Sequence, residues 1–210
     1  MKIFDLSHPL NKQIPVYPGT ARPSFIPSAT IKKKGFRGTH LSFDSHTGTH
    51  MDAPAHMLEN GKTLDQYPVC HFTGKALIIS VPGNLSLIGM NLLLPFEHEI
   101  ASMDFVLFRT GWSKYWGKPE YFKGFPTLAH DTTDRLLAFS LRGIGFDTIS
   151  ADTAESKDYP NHIRIFENNL IIIENLVFPD ALTESSGIFS CFPLPLENAD
   201  GSPVRAVLSV

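Results

Sequence analysis

Between Pro9 and Pro27 stand five prolines, at positions 9, 15, 18, 23 and 27. Each fixes its own φ and lacks a backbone N–H, so no helix runs through Asp5 to Pro27. The stretch is expected as extended chain broken by turns. Pro18-Gly19 marks one such turn, and Tyr17, preceding a proline, is expected in extended conformation.

Beyond it, short apolar runs alternate with helical patterns. Ala76–Val81 and Phe105–Phe108 read as buried strands. Asp131 or Thr132 is placed to cap a helix carrying Leu136, Leu137 and Leu141. Gly143–Ile149 is a further strand, the segment after His162 one short helix ending near Asn168-Asn169, and Leu170–Glu174 a strand. Val204–Val210 is a last strand after a turn at Asp200-Gly201. Strands outnumber helices, and there is no internal repeat and no long polar linker. The expectation is a single α/β or α+β domain over residues 1–210 with a mostly buried sheet.

A chain of 210 residues with 42% hydrophobic and 19% charged residues can bury a real core. The formal net charge is −3, and the basic run Lys32-Lys33-Lys34 reads as a solvated strand end or loop, which points away from nucleic acid. The most apolar stretch, Ile163 to Phe178, is interrupted by Arg164, Glu167, Asn168, Asn169 and Glu174, so no membrane span is expected. The opening residues carry no apolar leader core. Cys70 and Cys191 belong to no CxxC pair and read as small buried apolar side chains in a reducing cytoplasm.

Chemistry concentrates in His46-Thr47-Gly48-Thr49-His50-Met51-Asp52-Ala53-Pro54-Ala55-His56. Imidazole and carboxylate together suit zinc, manganese or iron. Gly48 lets the backbone bend, and Pro54 bars a continuous helix. If Thr49 to Ala53 is extended, His50 and Asp52 share one side, and His46 reaches it around the Gly48 bend. Three ligands from seven residues leave an open position, as a catalytic metal requires. The alternative is a loop whose histidines make ordinary hydrogen bonds.

Other polar residues are less marked. His162 follows Asp158-Tyr159-Pro160-Asn161, read as a loop. Glu174 ends an apolar strand and needs a partner if buried, or else reaches solvent. Asp147 and Asp152 flank a strand end and read as turn caps. His8, His40, His71, His98 and His130 lack a neighbouring carboxylate pattern and read as structural. Neither GxSxG, a Walker loop nor GxGxxG is present.

The pattern HxGTHxDxPxH, filled by His46 to His56, resembles the signature of the cyclase family, which includes bacterial kynurenine formamidases and isatin hydrolases. Asp5-Leu6-Ser7 with Pro9-Leu10, Tyr17-Pro18-Gly19, Arg109-Thr110-Gly111-Trp112, Asp158 to His162 and Gly201 to Arg205 are similar to further parts of its pattern. The resemblance implies a swivelling β/β/α fold and a homodimer or homotetramer. It implies that His46, His50 and Asp52 bind a first divalent ion, zinc or manganese. His162 and Glu174 would complete a second position, with Asp52 bridging where two ions are present. It makes His56 the acid–base histidine and places Tyr17 at the substrate. Tyr17 and Thr20 stand where the formamidases carry Trp and Asp, a difference that bears on the substrate and not on the ligands.

The activity so implied is hydrolysis of an amide, lactam or related carbonyl bond in a small aromatic molecule. The metal would activate water, and His56 would serve as general acid and base. Lactone hydrolysis or ring closure on the same site, and a non-catalytic metal-binding protein, are the alternatives.

Overall fold

The computed structural model describes residues 1–210. In chain order the strands are β1 (Ile3–Asp5), β2 (Ser24–Ala29), β3 (Gly38–Ser42), β4 (His50–Asp52), β5 (Thr73–Ser80), β6 (Leu87–Ile88), β7 (Phe105–Arg109), β8 (Thr127–Leu128), β9 (Gly143–Phe146), β10 (Ile171–Glu174), β11 (Ser186–Pro193) and β12 (Gly201–Ser209). The α-helices are short: α1 (Ile31–Lys34), α2 (Met90–Leu93), α3 (Glu97–Ile100), α4 (His130–Leu137) and α5 (Pro160–Glu167).

Seven strands close into a ring in the order β12-β11-β5-β7-β9-β10-β4, because β4 pairs with both β10 and β12. Strands β5, β7, β9 and β10 run parallel, and β4, β11 and β12 join antiparallel. Strand β1 extends the far end of β12. Closure leaves the ring strands paired on both sides where they overlap.

Period two sorts the side chains. Ala76, Ile78, Phe105, Leu107, Ile171, Ile173 and Met51 point into the ring, with Phe189, Cys191, Ala206 and Leu208. Leu77, Ile79, Val106, Phe108, Ile144, Phe146 and Ile172 point outward and pack under helical residues such as Leu136, Ile165 and Phe166. The near-continuous apolar runs of β5, β7 and β10 are therefore buried on both faces. Gly143 and Gly145 fall on the inward parity of β9. A Cβ at Gly143 would lie 2.6 Å from Ile171 Cγ1, so bulk on β10 and β7 replaces bulk on β9.

Most expected elements are present with shifted ends. The helix expected after Asp131 starts at His130 with Ala129 as its cap and no side-chain bond there, while Leu141 lies beyond it. The expected strand Gly143–Ile149 stops at Phe146, where Asp147 accepts the backbone N–H groups of Thr110 and Gly111. That is the turn-capping role read for Asp147. The last strand begins earlier, at Gly201. Lys32 to Lys34 form a helical turn rather than a strand end or loop, and Cys70 is exposed, not buried. Pro27 sits within β2, at the register shift of the isolated β2–β3 hairpin. No helix is long and apolar enough to cross a membrane.

Candidate metal centre and active site

The segment His46 to His56 begins in a turn, bends at Gly48 (φ 71°) and enters β4. Met51 points into the barrel, so His50 and Asp52 point out together, as alternation requires. Register supplies the neighbours. Glu174 of β10 lies opposite His50, and Gly201 of β12 lies opposite Asp52. Helix α5 covers this face and brings His162.

His46 Nδ1 lies 2.5 Å from Asp52 Oδ1. His50 Nε2 is 3.2 Å from Asp52 Oδ1 and 3.5 Å from Glu174 Oε2. His162 Nε2 is 3.2 Å from Glu174 Oε1 and 4.0 Å from Asp52 Oδ2. Two overlapping clusters share Asp52, His46-His50-Asp52 and Asp52-His162-Glu174, each with ligand atoms within 4.8 Å of one another, and a third, less buried group at the same spacing is His46-His56-Asp200. The loop expected over Asp158 to Asn161 ends at Tyr159: α5 starts at Pro160, earlier than the helix expected after His162, and His162 lies in its first turn.

Partners on the far side of each ring fix which nitrogen faces inward. His50 Nδ1 donates to Gly48 O at 2.8 Å, and that carbonyl also accepts Asn175 Nδ2 at 2.8 Å. Asn175 is in turn held by Tyr121, whose hydroxyl donates to Asn175 Oδ1 at 2.7 Å. His162 Nδ1 donates to Asp152 Oδ2 at 2.7 Å. Such partners orient metal-binding imidazoles and set their tautomer.

The protonation balance fits a cation. Burial, and then the neighbouring Asp52 carboxylate, push Glu174 above the usual carboxylate range. Burial also raises Asp52, but His50 and His46 outweigh it and hold it well below. Burial lowers His46, yet Asp52 and Asp200 raise it to about 9. Burial likewise lowers His162, while Asp152, Glu174 and Asp52 carry it to about 10. Two buried carboxylates thus draw protons onto their histidines, a task that a divalent ion takes over when ligands are deprotonated. His, His, Asp and His, Glu donors suit zinc or manganese alike.

The clusters floor a cavity of about 610 Å³ walled by Tyr17, Thr20, His56, Ile149, Tyr159 and Ile163. The ring centroids of His56 and His46 are 3.9 Å apart. Burial lowers the pKa of His56, Asp52 raises it, and His46 and His162 lower it again, with a net decrease. His40, His98 and His130 do not line this cavity. His8 stacks on Trp116 at 3.9 Å.

Three features of the centre have no clear signal in the sequence: the hold of Asp152, a turn cap as expected, on the His162 ring as well, Asp200, expected only as part of a turn, and Asn175. A carboxylate three residues beyond the expected strand Gly143–Ile149 is the one local signal for Asp152. For Asn175 it is the polar pair Glu174-Asn175 ending an apolar strand.

Residues 4–153 match the family model described as "Putative cyclase". The chain belongs to the cyclase family. The kynurenine formamidase of Bacillus cereus is 35% identical over 206 residues, covering 98% of this chain and 96% of that protein. An isatin hydrolase bound to the product analogue thioisatinate superposes with a TM-score of 0.89 at 21% identity, covering 100% of this chain and 92% of that one. The expected swivelling β/β/α fold is thus the one present. A potential metal-dependent hydrolase with cyclase activity has a TM-score of 0.82 at 28% identity over 99% of this chain and 96% of that one.

Proposed function

We propose that this cyclase-family chain, one domain over residues 1–210, is a metal-dependent hydrolase of a C–N bond outside peptides, in a small aromatic amide or lactam. The carrying observation is the convergence of His46, His50, Asp52, His162 and Glu174 on the floor of one cavity with His56 in its wall. The likeness to kynurenine formamidases along nearly the whole chain supports the same reaction class.

His46, His50 and Asp52 would hold the first ion, zinc or manganese, and His162 and Glu174 with Asp52 would hold a second where two bind. A bound divalent ion would supply a Lewis acid for the carbonyl and lower the pKa of a bound water toward neutral pH. His56 is the catalytic base: burial favours its uncharged form, ready to take a proton and pass it to the leaving nitrogen. Tyr17 and Tyr159 present phenol rings to the cavity, and a planar substrate stacks on such surfaces.

A homodimer or homotetramer has an available surface in the β2–β3 arm, where Ile26, Phe36 and Leu41 are each more than half exposed. The cytoplasm suits two unpaired cysteines.

The test is elemental analysis of protein purified without added metal, followed by turnover of formyl-anilides, isatin and lactones with the ion found. Stoichiometric zinc or manganese with turnover of the C–N substrates is expected. Metal-loaded protein that turns over lactones alone, or nothing in the panel, overturns the reading.

A further inference from the structure

His46 differs from the other two histidines of the centre. His50 and His162 each donate from Nδ1 to a protein oxygen and turn Nε2 inward. His46 turns Nδ1 toward Asp52 and leaves Nε2 pointing away. An imidazole offers a lone pair from one nitrogen only when the other carries the proton, so His46 needs a partner on the Nε2 side.

We infer that Asp200 is that partner, a positioning residue that sets His46 for metal binding and also steadies His56. His46 Nε2–H donates to Asp200 Oδ2 at 2.9 Å, and the same oxygen lies 3.7 Å from His56 Nδ1. The backbone at Asp200 is pinned to the motif itself, for Ala53 N–H donates to Asp200 O at 2.8 Å. The next residue makes room for the ring. A Cβ on Gly201 would lie 2.5 Å from His46 Cε1 and 2.9 Å from His46 Nε2. Real Cβ atoms essentially never come that close, so any side chain at 201 would displace the imidazole. The entry into β12 therefore holds the His46 ring at its Nε2 edge by Asp200 and leaves its seat open at Gly201. The Asp200 side chain is 47% exposed, so its removal opens no core.

The inference rests on the metal-centre reading, and the experiment separates the two. Asp200→Ala, Asp200→Asn and Gly201→Ala are made, and zinc and manganese affinities of the substrate-free proteins are measured by competition with a chromophoric chelator. Melting of the metal-free proteins is recorded, and kcat and KM are taken at saturating metal. Asp200→Ala is expected to weaken metal binding about 10- to 100-fold while the metal-free melting temperature stays at the wild-type value. Asp200→Asn keeps an acceptor oxygen and recovers part of the loss. Gly201→Ala weakens binding by displacing the same ring. At saturating metal, Asp200→Ala lowers kcat more than it raises KM, through His56. Wild-type affinity in Asp200→Ala, or a loss that only follows a lowered melting temperature, overturns the inference alone. A wild-type protein that binds neither ion overturns the metal-centre reading and the inference with it.

Discussion

Asp152 Oδ2 accepts two bonds from His162, from ring Nδ1 at 2.7 Å and from its backbone N–H at 3.0 Å. Asp152 Oδ1 takes the backbone N–H of Asn161 at 2.9 Å. One carboxylate thus satisfies two orphan donors in the first turn of α5 and aims the imidazole of that turn at Glu174. Helix position and ligand direction are set by the same group. Asp152→Ala should therefore lose about 1–3 kcal/mol of stability as buried donors go unpaired. It should also weaken metal binding about 10- to 100-fold. Denaturant unfolding and metal titration on the same preparation check both. Lower stability with unchanged affinity would reduce Asp152 to a helix cap.

His56 belongs to neither set around Asp52, and groups instead with His46 and Asp200. His56→Ala is expected to lower kcat by about 10²–10⁴-fold. Metal stoichiometry should stay at the wild-type value. Steady-state kinetics with metal analysis distinguishes this from a ligand: loss of the ion would make His56 a ligand, and full activity would remove it from the mechanism.

Acid stability has a named contributor outside the ligand set, in His8. His8 stacks on Trp116 with planes 2° apart, its Nε2 buried without a partner. Burial lowers its pKa from 6.5 to about 4. Between those values the unfolded chain binds a proton that the folded chain does not, so stability falls as pH drops from 6.5 toward 4. His8→Phe keeps the stack and removes the titration. Its melting temperature should fall less than that of the wild type over this pH window; parallel curves for the two proteins would exclude the assignment.

Inside the barrel, Gly143→Ala brings a methyl group to 2.6 Å from Ile171 Cγ1 and 2.9 Å from Ile171 O. Backbone of β10 is one of those neighbours, so relief requires moving a strand. The cost should be about 1–3 kcal/mol. For a chain of this size each kcal/mol lowers the melting temperature by roughly 2–4 °C. Calorimetry checks it, and an unchanged melting temperature would mean that β9 and β10 separate freely.

Local chemistry was legible where the signal is local. Alternation placed His50 and Asp52 on one side from three residues of chain, and the apolar run before Glu174 placed that carboxylate at a strand end. His162 was harder. Pro160 is a good first helical residue, but Tyr159 before it takes φ 43°, a conformation that neither a bulky residue nor a residue before proline favours. The conflict hid a helix start. Asp200 was illegible for another reason: its bond to His46 spans 154 residues, and only ring closure brings them together.

That closure also dictates when the centre can exist. Strand β4 is clasped by Gly201 to Pro203 of β12, about 150 residues downstream of His50. During synthesis at roughly 5–20 residues per second, the histidine segment waits roughly 8 to 30 seconds for its second neighbour. His50 and Asp52, made early, thus gain their second strand neighbour only once residues 201 to 203 have been made.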